Sequence, residues 1–249
     1  MLDRTAVKHL VRKILDSESE IKHQEKYDKN TIGSKFLFTR IAHRNRVARS
    51  VKYTLEELQS GKLLDYGCGT GVFVSILNEL KAGIAIGYEP YKDERFREDT
   101  PVFSEFSDIL AYKPFQIITI FEVIEHLSEE SLDDFFSRSR ELLMENGGVI
   151  LVSVPIEIGL GLIPKEMNRI RQGMENLYNF PEFVKAAFLG IPAERVDGWH
   201  KGFDFRNLLK YAGSKGWETK VVGYGPIPIK TWYINSQVYI KMWMKKERQ

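Results

Sequence analysis

Along the 249 residues the spacing of apolar positions changes near residue 61. Before it, apolar residues recur at intervals of three and four. In "TAVKHLVRKILDS", Val7, Leu10, Val11, Ile14 and Leu15 share one helical face. "FLFTRIAHRNRVARSVKYTLEELQSG" continues that period and predicts a helix stopping at Gly61, a helix-terminating residue type. Beyond it, short unbroken apolar runs alternate with helical stretches. "KLLDYG", "IAIGYEP", "PVFSEF", "FQIITIF" and "VILVSVP" read as strands, the third the weakest; "GVFVSILNELKAG" and "SEESLDDFFSRSRELLMENGG" read as helices. Strands made almost wholly of apolar residues and separated by helices predict an α/β fold with a parallel sheet covered on both faces.

Residues 156–198 interrupt the alternation with Gly, Pro, Met and aromatic residues, and read as an inserted helical lid. "FDFRNLLKYAGSKG" returns to a helix, and "WETKVVGYG" and "SQVYIKMWMK" are the last two strands. Only "PIPIKTWYIN" joins them, with no helix between, which predicts an antiparallel pair at the end of the sheet. The expected organisation is an N-terminal helical extension over 1–60 and a main domain over 61–249 carrying the insert.

Composition adds exclusions. No apolar run approaches the ~20 residues of a membrane-spanning helix, and the acids mixed into the first twenty residues are unlike a signal peptide. The single cysteine, Cys68, leaves no intramolecular disulfide framework and fits a reducing cytoplasm, the expected location. The net charge of +2 conceals an uneven distribution: +5 over 1–60, −9 over 61–150 and +6 over 151–249. Basic flanks around an acidic centre suit either attraction of an anionic substrate or ordinary solvated helix faces. No basic stripe marks a nucleic-acid partner, so none is expected.

The chemistry concentrates in "LLDYGCGTGVF", with glycine at 67, 69 and 71 between a strand and a helix. Such a turn sets backbone N–H groups and a helix N-terminus toward a ligand. The dinucleotide fingerprint G-x-G-x-x-G would need glycine where Val72 stands, and a phosphate loop would need Lys-Ser/Thr after the last glycine. Neither is present.

"LLDYGCGTG" resembles motif I of the class I S-adenosylmethionine-dependent methyltransferases. "FQIITIFEVIEHL", "NGGVILVSVP" and "GWHKGFDFRNLLKYAGSKGWE" resemble further segments of that superfamily's small-molecule and sugar O-methyltransferase branches, so the resemblance covers about residues 60–155 and 198–245. It implies a Rossmann-like seven-stranded sheet of order 3-2-1-4-5-7-6 with an antiparallel last strand. It also implies S-adenosylmethionine as cofactor, leaving as S-adenosylhomocysteine. By the same resemblance Asp65 anchors the methionine amino group with help from Gly67, Cys68, Gly69 and Gly71. Glu89, followed by Pro90, takes the ribose hydroxyls; a carboxylate can accept both hydrogen bonds of a vicinal diol. Ser107 and Asp108 lie near the adenine, and Glu122 contacts the cofactor.

After the fourth strand, "FEVIEHL" sets Glu122, Glu125 and His126 at the edge where open α/β sheets bind ligands. Methyl transfer to a hydroxyl needs the proton removed, and a histidine suits that task; His126 is the expected base and His200 an expected substrate contact. E-x-x-E-H with a downstream histidine also resembles the metal-binding set of the ubiquinone-pathway O-methyltransferases and of the small-RNA 3′-terminal 2′-O-methyltransferases. On that alternative Glu122, Glu125, His126 and His200 hold a divalent ion, with Glu122 and Glu125 on one helix face at i, i+3. In the insert, Lys165, Arg169, Arg171, Tyr178, Phe180, Trp199 and Lys201 offer basic and aromatic groups, the aromatics mostly as its own small core. His9, His23 and His43 carry no expected chemistry. The expected acceptor is a hydroxyl on a small molecule or on a sugar of a glycan precursor. Alternatives are small-RNA 2′-hydroxyl methylation, a non-catalytic cofactor-binding scaffold that docks a partner through its basic N-terminal helices, and a nicotinamide oxidoreductase.

Overall fold

The computed structural model describes residues 11, 13, 37–91, 100–173, 177–196 and 198–245. The helix expected over "TAVKHLVRKILDS", apart from Val11 and Lys13, lies outside them, as do His9 and His23. Among the described residues seven strands, β1 (Leu63–Tyr66), β2 (Ala85–Tyr88), β3 (Val102–Phe103), β4 (Ile117–Phe121), β5 (Val149–Pro155), β6 (Trp217–Gly225) and β7 (Gln237–Met244), form one sheet ordered β3-β2-β1-β4-β5-β7-β6. The chain divides into two compact units, 1–119 and 120–249, and the division falls inside β4.

In the first unit, helix α1 (Leu37–Glu57) leads to β1 (Leu63–Tyr66), α2 (Val72–Leu80), β2 (Ala85–Tyr88), β3 (Val102–Phe103), the single turn α3 (Phe106–Ile109), and the start of β4 (Ile117–Phe121). β1 runs parallel to both β2 and β4, pairing Asp65 with Gly87 on one side and with Thr119 on the other. Leu63, Leu64, Ile117 and Ile118 are fully buried, as continuous apolar strands require. Asn78 fixes α2 to β2 by accepting from Ala85 N–H and donating to Ala85 C=O, each at 2.9 Å.

Helix α1 ends at Glu57, four residues short of Gly61. Gln116 explains the stop. Its Oε1 accepts the N–H groups of Gln59, Ser60 and Gly61, and its Nε2 donates to Glu57 C=O. A Cβ on Gly61 would lie 2.4 Å from Gln116 Cβ, so this glycine answers a close approach and not a helix cap.

The second unit contains α4 (Glu129–Leu142), β5 (Val149–Pro155), α5 (Leu162–Arg171), α6 (Phe180–Val184) running into a π-helical turn (Lys185–Leu189), α7 (Phe205–Ser214), β6 (Trp217–Gly225) and β7 (Gln237–Met244). β7 pairs antiparallel with both β5 and β6, and the ladder with β6 shifts register between Val221 and Gly223. Each helix start has a local cause. Ser128 accepts from Ser131 N–H before α4, Asn179 and Glu182 form a reciprocal capping box before α6, and Asp204 accepts from Arg206 N–H before α7. Within 156–198, Leu162, Tyr178 and Ala186 form a small core with Leu177, Phe183 and Ala193. Phe180 and Trp199 do not join it: they are 80% and 53% exposed. Phe180 opens α6 directly after its Asn179 cap, a position that faces solvent here.

Candidate functional site

In the first unit all three loop glycines have left-handed backbones, with φ of 74°, 54° and 80° at Gly67, Gly69 and Gly71. Only glycine adopts that region readily, so chain geometry by itself accounts for the residue type. At Gly71 a Cβ would also meet Thr100 and Val102 methyl carbons at 3.1 Å, whereas at Gly69 it would enter open space. Cys68 sits against β2, where a Cβ on Gly87 would come within 2.5 Å of its Sγ.

The sequence predicts backbone N–H groups turned toward a ligand; in the structure several of those groups bond within the chain. Gly67 and Cys68 both donate to Tyr88 C=O, and Gly71 donates to Cys68 C=O. Gly69 donates to Glu89 Oε2 at 3.0 Å, and Tyr91 donates to Glu89 Oε1 at 3.3 Å. The carboxylate at the end of β2 is therefore tied to the middle glycine, which brings Glu89 to the loop. Pro90 is exposed. Ser107 and Asp108 are exposed on α3, beside Phe106, whose ring meets Tyr88 edge-on at 6.0 Å.

Asp65 is the buried ionisable group of this region, 4% exposed. Thr119 donates its hydroxyl to Oδ1 at 2.6 Å. Burial pushes the Asp65 carboxyl up to about 7; the Thr119 hydrogen bond pulls it down and the Glu89 charge adds to the rise. A cation brought to Asp65 would reverse the shift. A separate apolar cavity of about 320 Å³, beside Leu63, Ala85, Tyr112 and Phe115, lies at the amino ends of β1 and β2, away from the loop.

In the second unit Glu122 follows β4 with φ 59°, the only non-glycine among the described residues with a positive φ. Its N–H donates to Ser153 C=O, and its Oε1 accepts from Ser153 Oγ at 3.0 Å and from Gln237 Nε2 at 2.8 Å. That left-handed residue rules out the helix face that the metal alternative had Glu122 and Glu125 share. Only Ile124–His126 makes a single 3-10 turn, and α4 waits for Ser128. Glu122 and Glu125 therefore do not share a helix face.

Glu125, His126 and His200 do come together, with one ligand-type atom of each within 4.8 Å of the others; Glu122 is not in that group. Glu125 is fully buried, while His126 is exposed. Glu125 Oε1 lies 4.0 Å from His126 Nε2 and 3.9 Å from His200 Nε2, and the two Nε2 atoms are 3.2 Å apart. His126 Nδ1 is 3.0 Å from Gly198 C=O. A carbonyl only accepts, so a neutral His126 carries its proton on Nδ1 and leaves the Nε2 lone pair toward His200. Arg195 secures the turn bearing His200: it donates to Trp199 C=O at 2.7 Å and to Glu125 C=O.

Three residues of this region give no sequence signal of their own. Arg195 acts through backbone carbonyls. Gln237 reaches Glu122 across 115 positions. Glu157, 3.6 Å from His200 Nδ1, is a lone acid in an apolar stretch, and its place just past β5 was its sole cue.

A family model described as a methyltransferase domain matches residues 38–218. No curated protein sequence matches the chain. Among solved structures, the chain is similar to a protein from Pyrococcus horikoshii OT3 (TM-score 0.55, 15% identity, covering 89% of this chain and 100% of that one). It is also similar to magnesium protoporphyrin IX methyltransferase from Synechocystis PCC 6803 with bound S-adenosylhomocysteine (TM-score 0.51, 14% identity, 98% and 100% covered). A third is a cyclopropane-fatty-acyl-phospholipid synthase-like protein from Lactobacillus casei ATCC 334 (TM-score 0.51, 10% identity, 93% and 99% covered). At these identities the likeness is one of fold. Among the described residues no helix is long and apolar enough to cross a membrane.

Proposed function

The chain belongs to the methyltransferase-domain family, with S-adenosylmethionine as its cofactor, and from that premise we propose that it methylates a hydroxyl of a small molecule or of a glycan-precursor sugar. The observation that carries the proposal is the convergence of Glu125, His126 and His200. Their facing atoms are acceptors, and such a group suits removal of a hydroxyl proton.

On this reading the first unit holds the cofactor. Asp65 takes the methionine ammonium, Glu89 the ribose hydroxyls, and Ser107 and Asp108 lie toward the adenine. Gly67, Cys68, Gly69 and Gly71 shape the turn, and Pro90 closes the strand that carries Glu89. The fit rests on Asp65: a buried carboxyl held protonated near neutral pH becomes an ionised partner once a cation meets it. The cofactor supplies an electrophilic methyl on a sulfonium, with a neutral thioether as leaving group. His126 would accept the hydroxyl proton of the acceptor on Nε2. The resulting imidazolium keeps Nδ1–H on Gly198 C=O and is stabilised by the Glu125 carboxylate. His200 orients the acceptor. Glu122 is fixed by Ser153 and Gln237.

The donor set also favours a second reading. One carboxylate and two imidazoles within 4.8 Å match the ligand types of a divalent ion, which would lower the pKa of a bound hydroxyl.

A screen of hydroxylated small molecules, sugars and short RNAs, read out as S-adenosylhomocysteine formed, tests the proposal. Turnover with a small hydroxylated acceptor is expected. Turnover with RNA alone moves the acceptor class. Cofactor binding without turnover on any acceptor favours the scaffold, and thermal protection by NAD in place of S-adenosylmethionine favours the oxidoreductase.

A further inference from the structure

The π-helical turn Lys185–Leu189 packs in the reverse of the usual order. Its small residues Ala186 and Ala187 are fully buried, while Phe188 and Leu189 are 51% and 66% exposed. Gly190 ends the turn in the left-handed region, and Ile191 after it is exposed as well. The connector between β6 and β7 lies against this turn. Tyr233 donates its hydroxyl hydrogen to Phe188 C=O at 3.1 Å, and Arg206 donates to Gly190 C=O at 2.9 Å while its guanidinium lies over the Trp232 ring. Ile227 and Ile229 stand exposed on that connector. Slack chain is not the reason. Pro226 and Pro228 fix φ before each isoleucine. The buried Asn235 side chain accepts from Ile227 N–H and donates to the carbonyls of Ile229 and Thr231. Five large apolar side chains are thus held out in a pre-shaped patch, a feature that marks an interaction surface.

Charge and bonding indicate what covers it. Residues 184–191 and 226–236 contain two cations, Lys185 and Lys230, both exposed, and no acid. Of the acids flanking the turn, Glu182 is paired with Lys201, and Glu194 is exposed beyond Ile191. Asn235 already occupies backbone groups of the connector, so the patch offers apolar atoms and ammonium charges more than directional hydrogen bonds. A lipid surface asks for that combination, and the half-buried Trp232 indole suits the headgroup level. We propose that this patch docks the protein on an anionic lipid bilayer, with Leu189 and Ile229 at the acyl boundary and Lys185 and Lys230 among the headgroups. Gln237 pairs with both Pro155 and Gly225, which sets the connector beyond the carboxyl end of β5. Glu122 N–H bonds Ser153 C=O, which brings the end of β4 to the same edge. Docking therefore carries the edge that bears the histidine cluster toward the bilayer, where a sugar on a lipid carrier is held. That consequence rests on the hydroxyl-methylation reading; the docking does not.

Co-sedimentation of the full chain with vesicles tests the docking. Binding is expected to mixed phosphatidylglycerol–phosphatidylcholine vesicles, to weaken as salt is added, and to be slight on phosphatidylcholine alone. Leu189→Gln with Ile229→Gln should lower partitioning ~tenfold or more, as should Lys185→Glu with Lys230→Glu. Both variants should keep the wild-type melting temperature and S-adenosylhomocysteine affinity. No binding by the wild-type chain, equal binding to phosphatidylcholine alone, or full binding by either variant overturns the proposal. A lipid-free dimer that the Leu189→Gln, Ile229→Gln variant dissociates also overturns it, because a second copy then covers the patch. Vesicle binding through this patch without turnover on any hydroxylated acceptor sinks hydroxyl methylation and leaves the docking standing.

Discussion

The glycine turn of the first unit and the histidine cluster of the second are assembled on opposite principles. The turn is local. Residues 67–71 and Glu89 lie within 22 positions, and backbone conformation decides the residue types, with φ of 54° to 80° at three glycines. The cluster is remote: Glu125 and His126 meet His200 across more than 70 positions, through side chains and one carbonyl from Gly198. A site made by conformation fails when the chain is deformed. A site made by convergence fails when one group is removed, with the chain intact. The two regions should therefore respond differently to substitution.

The sharpest contrast is expected at the cluster. His126→Ala should lower turnover about a thousandfold, within the usual range for loss of a general base, while S-adenosylhomocysteine affinity measured calorimetrically stays within about twofold. Unaltered turnover would remove His126 from the base role. Next comes Asp65→Asn, expected to weaken S-adenosylhomocysteine binding roughly a hundredfold by leaving its ammonium without a charged partner. The wild-type affinity should also weaken about tenfold per pH unit below about 7, because the ligand-free carboxyl must first give up its proton; a flat profile breaks the assignment. The same raised carboxyl makes a linked prediction. The folded chain keeps a proton that the unfolded chain gives up near 3.8, so this contribution to stability is complete below that pH and is lost as pH rises to about 7. Melting curves of the ligand-free protein should show that fall, and Asp65→Asn should flatten it.

Smaller effects should separate the glycines. Gly71→Ala brings both a left-handed alanine and 3.1 Å contacts with Thr100 and Val102, and should lower unfolding stability by ~1–3 kcal/mol. Gly69→Ala, with open space around its Cβ, should lose only the conformational part, about 1 kcal/mol. Equal losses in denaturant titrations would show that conformation alone governs both. Last, a chelator should leave turnover unchanged if protonation chemistry suffices; loss restored by a divalent ion establishes the second reading.

The same contrast explains what could be read from the sequence. Every strand was visible: β1, β2, β4 and β5 are buried nearly throughout and read as apolar runs, and even the two-residue β3 falls within "PVFSEF". The antiparallel end pair followed from a joining segment with no helix. The glycine turn was legible because its left-handed residues are near neighbours in sequence, whereas the hydrogen bond that brings Glu89 to Gly69 was not. The left-handed backbone of Glu122 was not, since no residue type announces it, and with it went the shared helix face of Glu122 and Glu125. Gly61 was visible as a glycine, but its reason lay 55 positions away in Gln116. Glu157 was hidden because a buried acid is recognised by the lysine, tyrosine and histidine around it, and these come from 165, 178 and 200. Phe180 and Trp199 misled because aromatic residues usually signal a core, whereas these two stand in solvent.

Glu122 carries a lesson for anyone re-engineering this enzyme. A stability screen would nominate glycine or asparagine at 122, since either relaxes a backbone that a glutamate occupies at a penalty of ~1–3 kcal/mol. The sturdier variant would forfeit the tether that anchors the end of β4 to Ser153 and Gln237. Position 122 is thus where heat tolerance and the seating of the β4 end should pull a directed-evolution campaign in opposite directions.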